Sequence, residues 1–189
     1  MSSAALRNLV YAQLSFFSFL VAALLLTDRG FTHNHGLSYY GEHANTIVPY
    51  GLGLLCCGVF IWRAAAAVTG WLSPALRVLA VLLFLDLATP DTINSFFYWA
   101  HVGVSAALFL HELAIAVGLF LNAPRAQVVA LLTAQVAAGL VAMFSQFHVI
   151  GYLSAGIVLY QLAFGALLVL AGRDRLATEE AALIPYSQS

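Results

Sequence analysis

Apolar stretches recur along this chain at a length of about 20 residues, which is what a helix needs to cross the hydrocarbon core of a bilayer. Six such windows are separated by short polar connections: Asn8–Leu26, Ile47–Val68, Pro74–Ala88, Phe96–Leu121, Gln127–Gln146 and Ile150–Ala171. With 62% apolar and only 8% charged residues, a water-soluble single domain is excluded. The reading is an all-α polytopic membrane protein, a six-helix transmembrane bundle over residues 1–175, followed by a short solvated tail at 176–189. The third window is the shortest. Asn122 and Pro124 stop the fourth helix and start the fifth, while the break around Gln146–Gly151 reads as a tight helical hairpin. The first window is read as a retained helix, because Thr27-Asp28-Arg29 is no small-residue cleavage site.

Six of the seven arginines, Arg7, Arg63, Arg77, Arg125, Arg173 and Arg175, fall on one side of this topology, with Arg29 alone opposite. Short basic connections stay cytoplasmic, so both termini are expected inside, in a bacterial cytoplasmic membrane. Tyr39, Tyr40, Tyr50, Phe96, Phe97, Tyr98, Trp99 and Tyr152 then form the outer aromatic belt, with Trp62 and Trp71 at the inner one.

Composition also removes chemistries. The chain contains no lysine, so mechanisms built on a lysine Schiff base are excluded. A net charge of −1 without a basic run argues against nucleic acid as a partner, leaving membrane lipids and a further membrane subunit or a second copy. Cys56 and Cys57 are adjacent within an apolar run and read as reduced core residues. No P-loop, dinucleotide fingerprint or nucleophile motif is present.

Histidines and carboxylates gather on the outer side. His33, His35, Glu42 and His43 lie in the first outer loop, Asp86 and Asp91 bracket the end of the third window, His101 opens the fourth helix and His148 follows the fifth. Imidazoles and carboxylates are donors that zinc, copper or iron accept, so His33, His35, His43, His101 and His148 are the candidate ligands of a transition metal. The competing reading is a structural or proton-sensing group of histidines. The loop from Gly36 to Tyr50, with glycines bracketing aromatic residues, is expected to fold back as a lid.

The fourth helix carries a polar stripe. At about 100° per residue, Asn94, Tyr98, His101, Ser105 and Glu112 fall within about 60° of one another. A carboxyl group at Glu112 is costly in hydrocarbon and faces a cavity, a partner or a pathway; it is expected to be neutral or hydrogen-bonded. Further polar faces are Gln135 with Gln146, Ser154 with Gln161, and Tyr11 with Ser15 and Ser18. Asp86, His101 and Glu112 are therefore the candidate catalytic residues. Three functions compete: a membrane enzyme acting on a lipid or amphipathic substrate, an accessory subunit of a membrane complex, and a proton-coupled carrier that uses Glu112.

Overall fold

The structure, a computed structural model, describes residues 2–27, 36–90, 93–147 and 152–183, with side chains through 174. It is all-helical: α1 (Ser3–Leu25), a short α2 (Tyr39–Glu42), α3 (Ile47–Ala66), α4 (Leu72–Ala88), α5 (Ser95–Asn122), α6 (Ala126–Gln146) and α7 (Leu153–Leu183). Five of them, α1, α3, α5, α6 and the 153–174 part of α7, are long and apolar enough to cross a membrane. The expected sixth span is α4, whose 17 residues rise about 25 Å, short of a hydrocarbon core of about 30 Å. The polypeptide is a polytopic membrane bundle with five full-length spans among the described residues, not six.

Local chemistry explains the ends. Ser2 caps α1 by accepting from the Ala5 amide at 3.2 Å, so the helix starts five residues before the apolar window does. Asn94 accepts from the Phe97 amide at 3.1 Å and so caps α5 instead of extending its polar stripe. Pro49 and Pro74 sit in the first turns of α3 and α4, where no intrahelical donor is lost. The turn between those helices places Gly70 at φ +73, a conformation that a side chain would strain. At the far end, α7 does not stop near Ala171 as the apolar window suggests. The Ala-, Leu- and Glu-rich run that follows carries no proline before Pro185 and continues as helix to Leu183.

Successive long helices are antiparallel. The Ser2 hydroxyl donates to the Ala67 carbonyl and the Asn45 amide to the Leu26 carbonyl, tying the two ends of α1 to opposite ends of α3. Arg125 at the start of α6 pairs with Asp174 on the last described side-chain turn of α7. The arginines Arg7, Arg63, Arg125 and Arg173 thus share one end of the bundle, the arginine end. Segment 36–46 crosses the other, the cap end. Laterally, α1 packs on α3, α3 on α4, α4 on α5, α5 on α7 and α7 on α1, closing a ring, while α6 lies along α7 and touches α5 about as lightly as α7 does.

Small residues set the close approaches. A Cβ at Gly156 would lie 2.7 Å from the Ala142 amide nitrogen and 3.1 Å from the Ala138 carbonyl, so α7 meets the α6 backbone there. At Gly103, by contrast, a Cβ meets nothing within 4 Å. The cap is equally well packed: Tyr40 and Thr46 are fully buried, Leu37 nearly so, and the Thr46 hydroxyl donates to the Tyr40 carbonyl at 2.8 Å. Residues 36–46 are thus a packed segment at this end of the bundle.

Gly156→Ala should lower the thermal midpoint in detergent by the equivalent of about 1–3 kcal/mol, the usual range for overpacking against backbone that cannot move aside. Gly103→Ala should leave it unchanged or slightly higher, and equal effects at both sites would contradict this packing. A second outcome concerns the cap. Burial first, then the neighbouring Tyr39, pushes the Tyr40 phenol up to about 12 from its ordinary 10.0. The folded state holds that proton more tightly than the unfolded state, so the contribution is complete below pH 10 and is lost as pH rises to about 12. Without lysine titrating in that range, Tyr40→Phe should visibly flatten the alkaline limb of a stability-against-pH curve.

Candidate functional site

Between the cap and the middle of the bundle lies a cavity of about 620 Å³, walled by α1, α3, α4, α5, α6 and α7. Its position follows from how α5 is held. At the arginine end the helix is tied down, because Trp71 packs on Gly118 and the His111 imidazole Nε2 lies 2.8 Å from the Ala75 carbonyl. Toward the cap end its contacts with neighbouring helices thin out, and the first half of α5 is largely exposed from Ser95 to Ala107. Most of the wall is apolar, including Phe16, Leu54, Ile61, Leu83, Leu108 and Phe164.

Two polar groups stand on this wall. The upper one joins α4 and α5. The Ser105 hydroxyl donates to Asp86 Oδ1 at 2.7 Å, and His101 Nδ1 lies 3.6 Å from the same oxygen. That His101 nitrogen is buried and has no hydrogen-bond partner among the described residues. One helical turn separates His101 from Ser105, so both address the same carboxylate from one face of α5. The lower group joins α5 and α7: Gln161 Nε2 donates to Glu112 Oε2 at 2.9 Å, and Glu112 is only 2% exposed. Eleven residues of helix place it about 16 Å deeper than His101. Beside it, the Tyr160 hydroxyl donates to the Phe109 carbonyl at 2.6 Å, and their rings stack with centroids 4.4 Å apart.

The three candidate catalytic residues, Asp86, His101 and Glu112, all line the cavity. Of the candidate metal ligands only His43 and His101 lie among the described residues, and these two do not form a site. No group of three or more His, Cys, Asp or Glu side chains able to hold a metal occurs among the described residues. His43 is exposed, its Nδ1 lies 2.7 Å from the Tyr39 carbonyl, and its ring packs 4.0 Å from the Tyr39 ring; its place just past α2, as the C-cap of that short helix, explains this local bond. His33, His35 and His148, with Asp91, lie outside the described residues. The histidine cluster expected from sidedness is therefore not formed by His43 and His101, which serve different neighbours.

Other polar faces divide. Gln146 and Gln161 line the cavity, whereas Tyr11 turns outward onto the ring of Phe60, 5.5 Å away. Gln135 is fully buried off the cavity, and neither its amide nitrogen nor its oxygen finds a hydrogen-bond partner among the described residues. Gln13 went unnoticed in the sequence, because it lies off the Tyr11, Ser15 and Ser18 face of α1. It lines the cavity and is pressed against Gly165 of α7, where a Cβ would clash with its amide. The signal for it was present, a lone amide on an otherwise apolar helix face paired with a glycine opposite. No protein-family model, curated protein or solved structure matches the chain.

Glu112→Gln keeps a polar partner for Gln161 and should leave stability close to that of the native chain. Glu112→Leu strands the Gln161 amide in a buried site and should cost about 1–3 kcal/mol in thermal or denaturant unfolding. Equal tolerance of both would mean that this bond does not hold α5 to α7.

Proposed function

We propose that this membrane protein takes up an amphipathic small molecule in the cavity, with the polar end of the molecule at the Asp86–His101–Ser105 group, where His101 exchanges a proton with it. The observation that carries the reading is the convergence of Asp86, His101 and Ser105 from two helices onto one largely apolar cavity. Its volume of about 620 Å³ lies in the range of small-molecule sites, which combine apolar walls with a few placed polar groups.

The roles follow from geometry. Asp86, steadied by the Ser105 hydroxyl, is placed to orient the imidazole. At 3.6 Å the His101–Asp86 contact is longer than a hydrogen bond, as such contacts often are before a ligand is in place. His101, as acid or base, then meets a hydroxyl, carbonyl or amine of the ligand. Glu112 and Gln161 supply a second polar station deeper in the cavity. Reaction of the bound molecule is the enzymatic form of this reading; the metal-dependent form has no support among the described residues.

A carrier reading rests on Glu112 alone. Beyond it toward the arginine end, Leu76, Leu79, Ile115 and Leu119 are buried against one another's helices, an apolar layer that does not favour a polar path onward from the carboxyl group. The accessory-subunit reading rests on the broad apolar outer surface, which any lipid-facing helix also has.

Native mass spectrometry of protein released from lipid nanodiscs tests the proposal. The expected result is a retained amphiphile of defined mass. Leu108→Trp, which fills the cavity from a wall position, should abolish retention, and Asp86→Asn or His101→Ala should reduce occupancy about tenfold, the equivalent of about 1.4 kcal/mol. Equal retention by the Leu108→Trp protein, with an unchanged thermal midpoint, would mean that the mass is surface-bound lipid and would overturn the reading.

A further inference from the structure

The cavity carries polar groups at two levels. Ser105 precedes Glu112 by seven residues on α5 and His101 precedes it by eleven, so about 10–16 Å of helix separates the two levels. The wall between them is apolar. Leu108 stands on α5 between Ser105 and Glu112. Leu83 lies one turn from Asp86 toward the arginine end of α4, which runs antiparallel to α5, with Asp86 beside Ser105 and Ala75 beside His111. Both leucines are buried and both line the cavity.

The deeper level draws on three helices. Gln161 Nε2 donates to Glu112 Oε2 at 2.9 Å, and Gly165 follows Gln161 by one turn on the same face of α7. Gln13 of α1 is pressed against that glycine, since a Cβ there would collide with its amide. Gln13, Glu112 and Gln161 all line the cavity, so a carboxyl group and two carboxamides meet its deeper part. The Gln161–Glu112 bond engages one amide hydrogen and one carboxyl oxygen. A carboxamide has two donors and an acceptor, and a carboxyl group has two oxygens, so this level retains capacity to bond a guest. An apolar chain end placed here would strip water from these groups and give nothing back, whereas a polar end would meet them.

Resting on the reading of the cavity as a ligand site, we infer that its ligand is polar at both ends. One hydrogen-bonding group meets Asp86, His101 and Ser105, and a second meets Glu112, Gln161 and Gln13. The apolar middle lies along Leu83 and Leu108. Carbon–carbon bonds of about 1.5 Å advance an extended chain by about 1.25 Å each, so the span corresponds to about 8–12 bonds. Gln13 is a specificity residue in this arrangement: it selects what enters the deep end and takes no part in proton exchange at His101.

The test uses the full chain in lipid nanodiscs and two series of straight-chain probes, α,ω-diols and 1-alcohols, each from about 6 to about 16 carbons so as to bracket the span. Hydroxyl heads are chosen because they both donate and accept. Retention is read by native mass spectrometry at equal mole fraction in the nanodisc lipid, with the cavity-filling Leu108→Trp protein as background. Diols should show an optimum near about 10 carbons and be retained there about tenfold more than the alcohol of equal length. Gln13→Met, which removes the amide at similar volume, should cut that preference at least about threefold while leaving alcohol retention unchanged. A diol series without an optimum, or without preference over the alcohols in the native chain, would overturn the two-ended ligand and leave the ligand site standing. A diol preference that survives Gln13→Met undiminished would overturn the role of Gln13. Retention of both series no greater than in Leu108→Trp would overturn the ligand site itself.

Discussion

A carboxyl group placed within the hydrocarbon layer has to find hydrogen-bonding company inside the protein, and the organisation of this bundle can be followed outward from that requirement at Glu112. Its bond to Gln161 joins α5 to α7, the link that closes the helical ring on the side where packing is thinnest. Tyr160, one residue away, adds a second tie by donating to the Phe109 carbonyl and stacking on its ring. Both ties lie midway along α5. Toward the arginine end the helix is pressed home by Trp71 and His111, and toward the cap end Asp86 meets it through Ser105 and His101. The cavity occupies the space that this uneven tethering leaves open.

The same asymmetry separates the two histidines of α5. His111 and His101 are ten residues apart on one helix, with opposite surroundings. His111 is engaged with a backbone carbonyl of the neighbouring helix, an arrangement that fixes packing. The buried His101 nitrogen has no hydrogen bond among the described residues and faces a carboxylate that is already held by a hydroxyl. An unmet donor or acceptor is costly in a dry interior, and it is tolerated here beside a cavity in which a ligand or water can meet it. Gln135 is buried next to Tyr160 and lies away from the cavity, so this argument does not extend to it.

Much of the architecture was legible in the residues. Apolar length located every long helix, and the bounds of α3, α4, α5 and α6 fall within two residues of the apolar windows. The stripe on the fourth helix placed His101, Ser105 and Glu112 on one face, where the structure has them lining one cavity. What could not be read was distance between elements. Sidedness put His43 and His101 on one side of the membrane but carries no lateral information, and His43 is taken up by its own helical turn. Asn94 fits the stripe by angle, yet it precedes the helix and serves as its cap. The length of α4 was visible, but counting it as a span set its apolar character above its 17 residues. Gln13 escaped because its importance depends on Gly165, a residue more than a hundred positions away that lets α1 and α7 approach.

A short α4 also bears on how the site is built. With 17 residues it rises about 25 Å, so in a bilayer of ordinary thickness one of its ends must lie below the interface. Its last turn carries Asp86, capped beyond by Thr89, whose hydroxyl donates to the Leu85 carbonyl at 2.8 Å. A full-length helix here would carry its final turns, and the turn that follows it, up to the interface. Ending early brings Asp86 to the level of Ser105, two to three turns into α5, and creates a polar pair beneath the cap instead of beside it. The deficiency that removes α4 from the set of complete spans is the same feature that sinks the carboxylate into the apolar cavity, where its interactions with Ser105 and His101 are strengthened by the low dielectric around them.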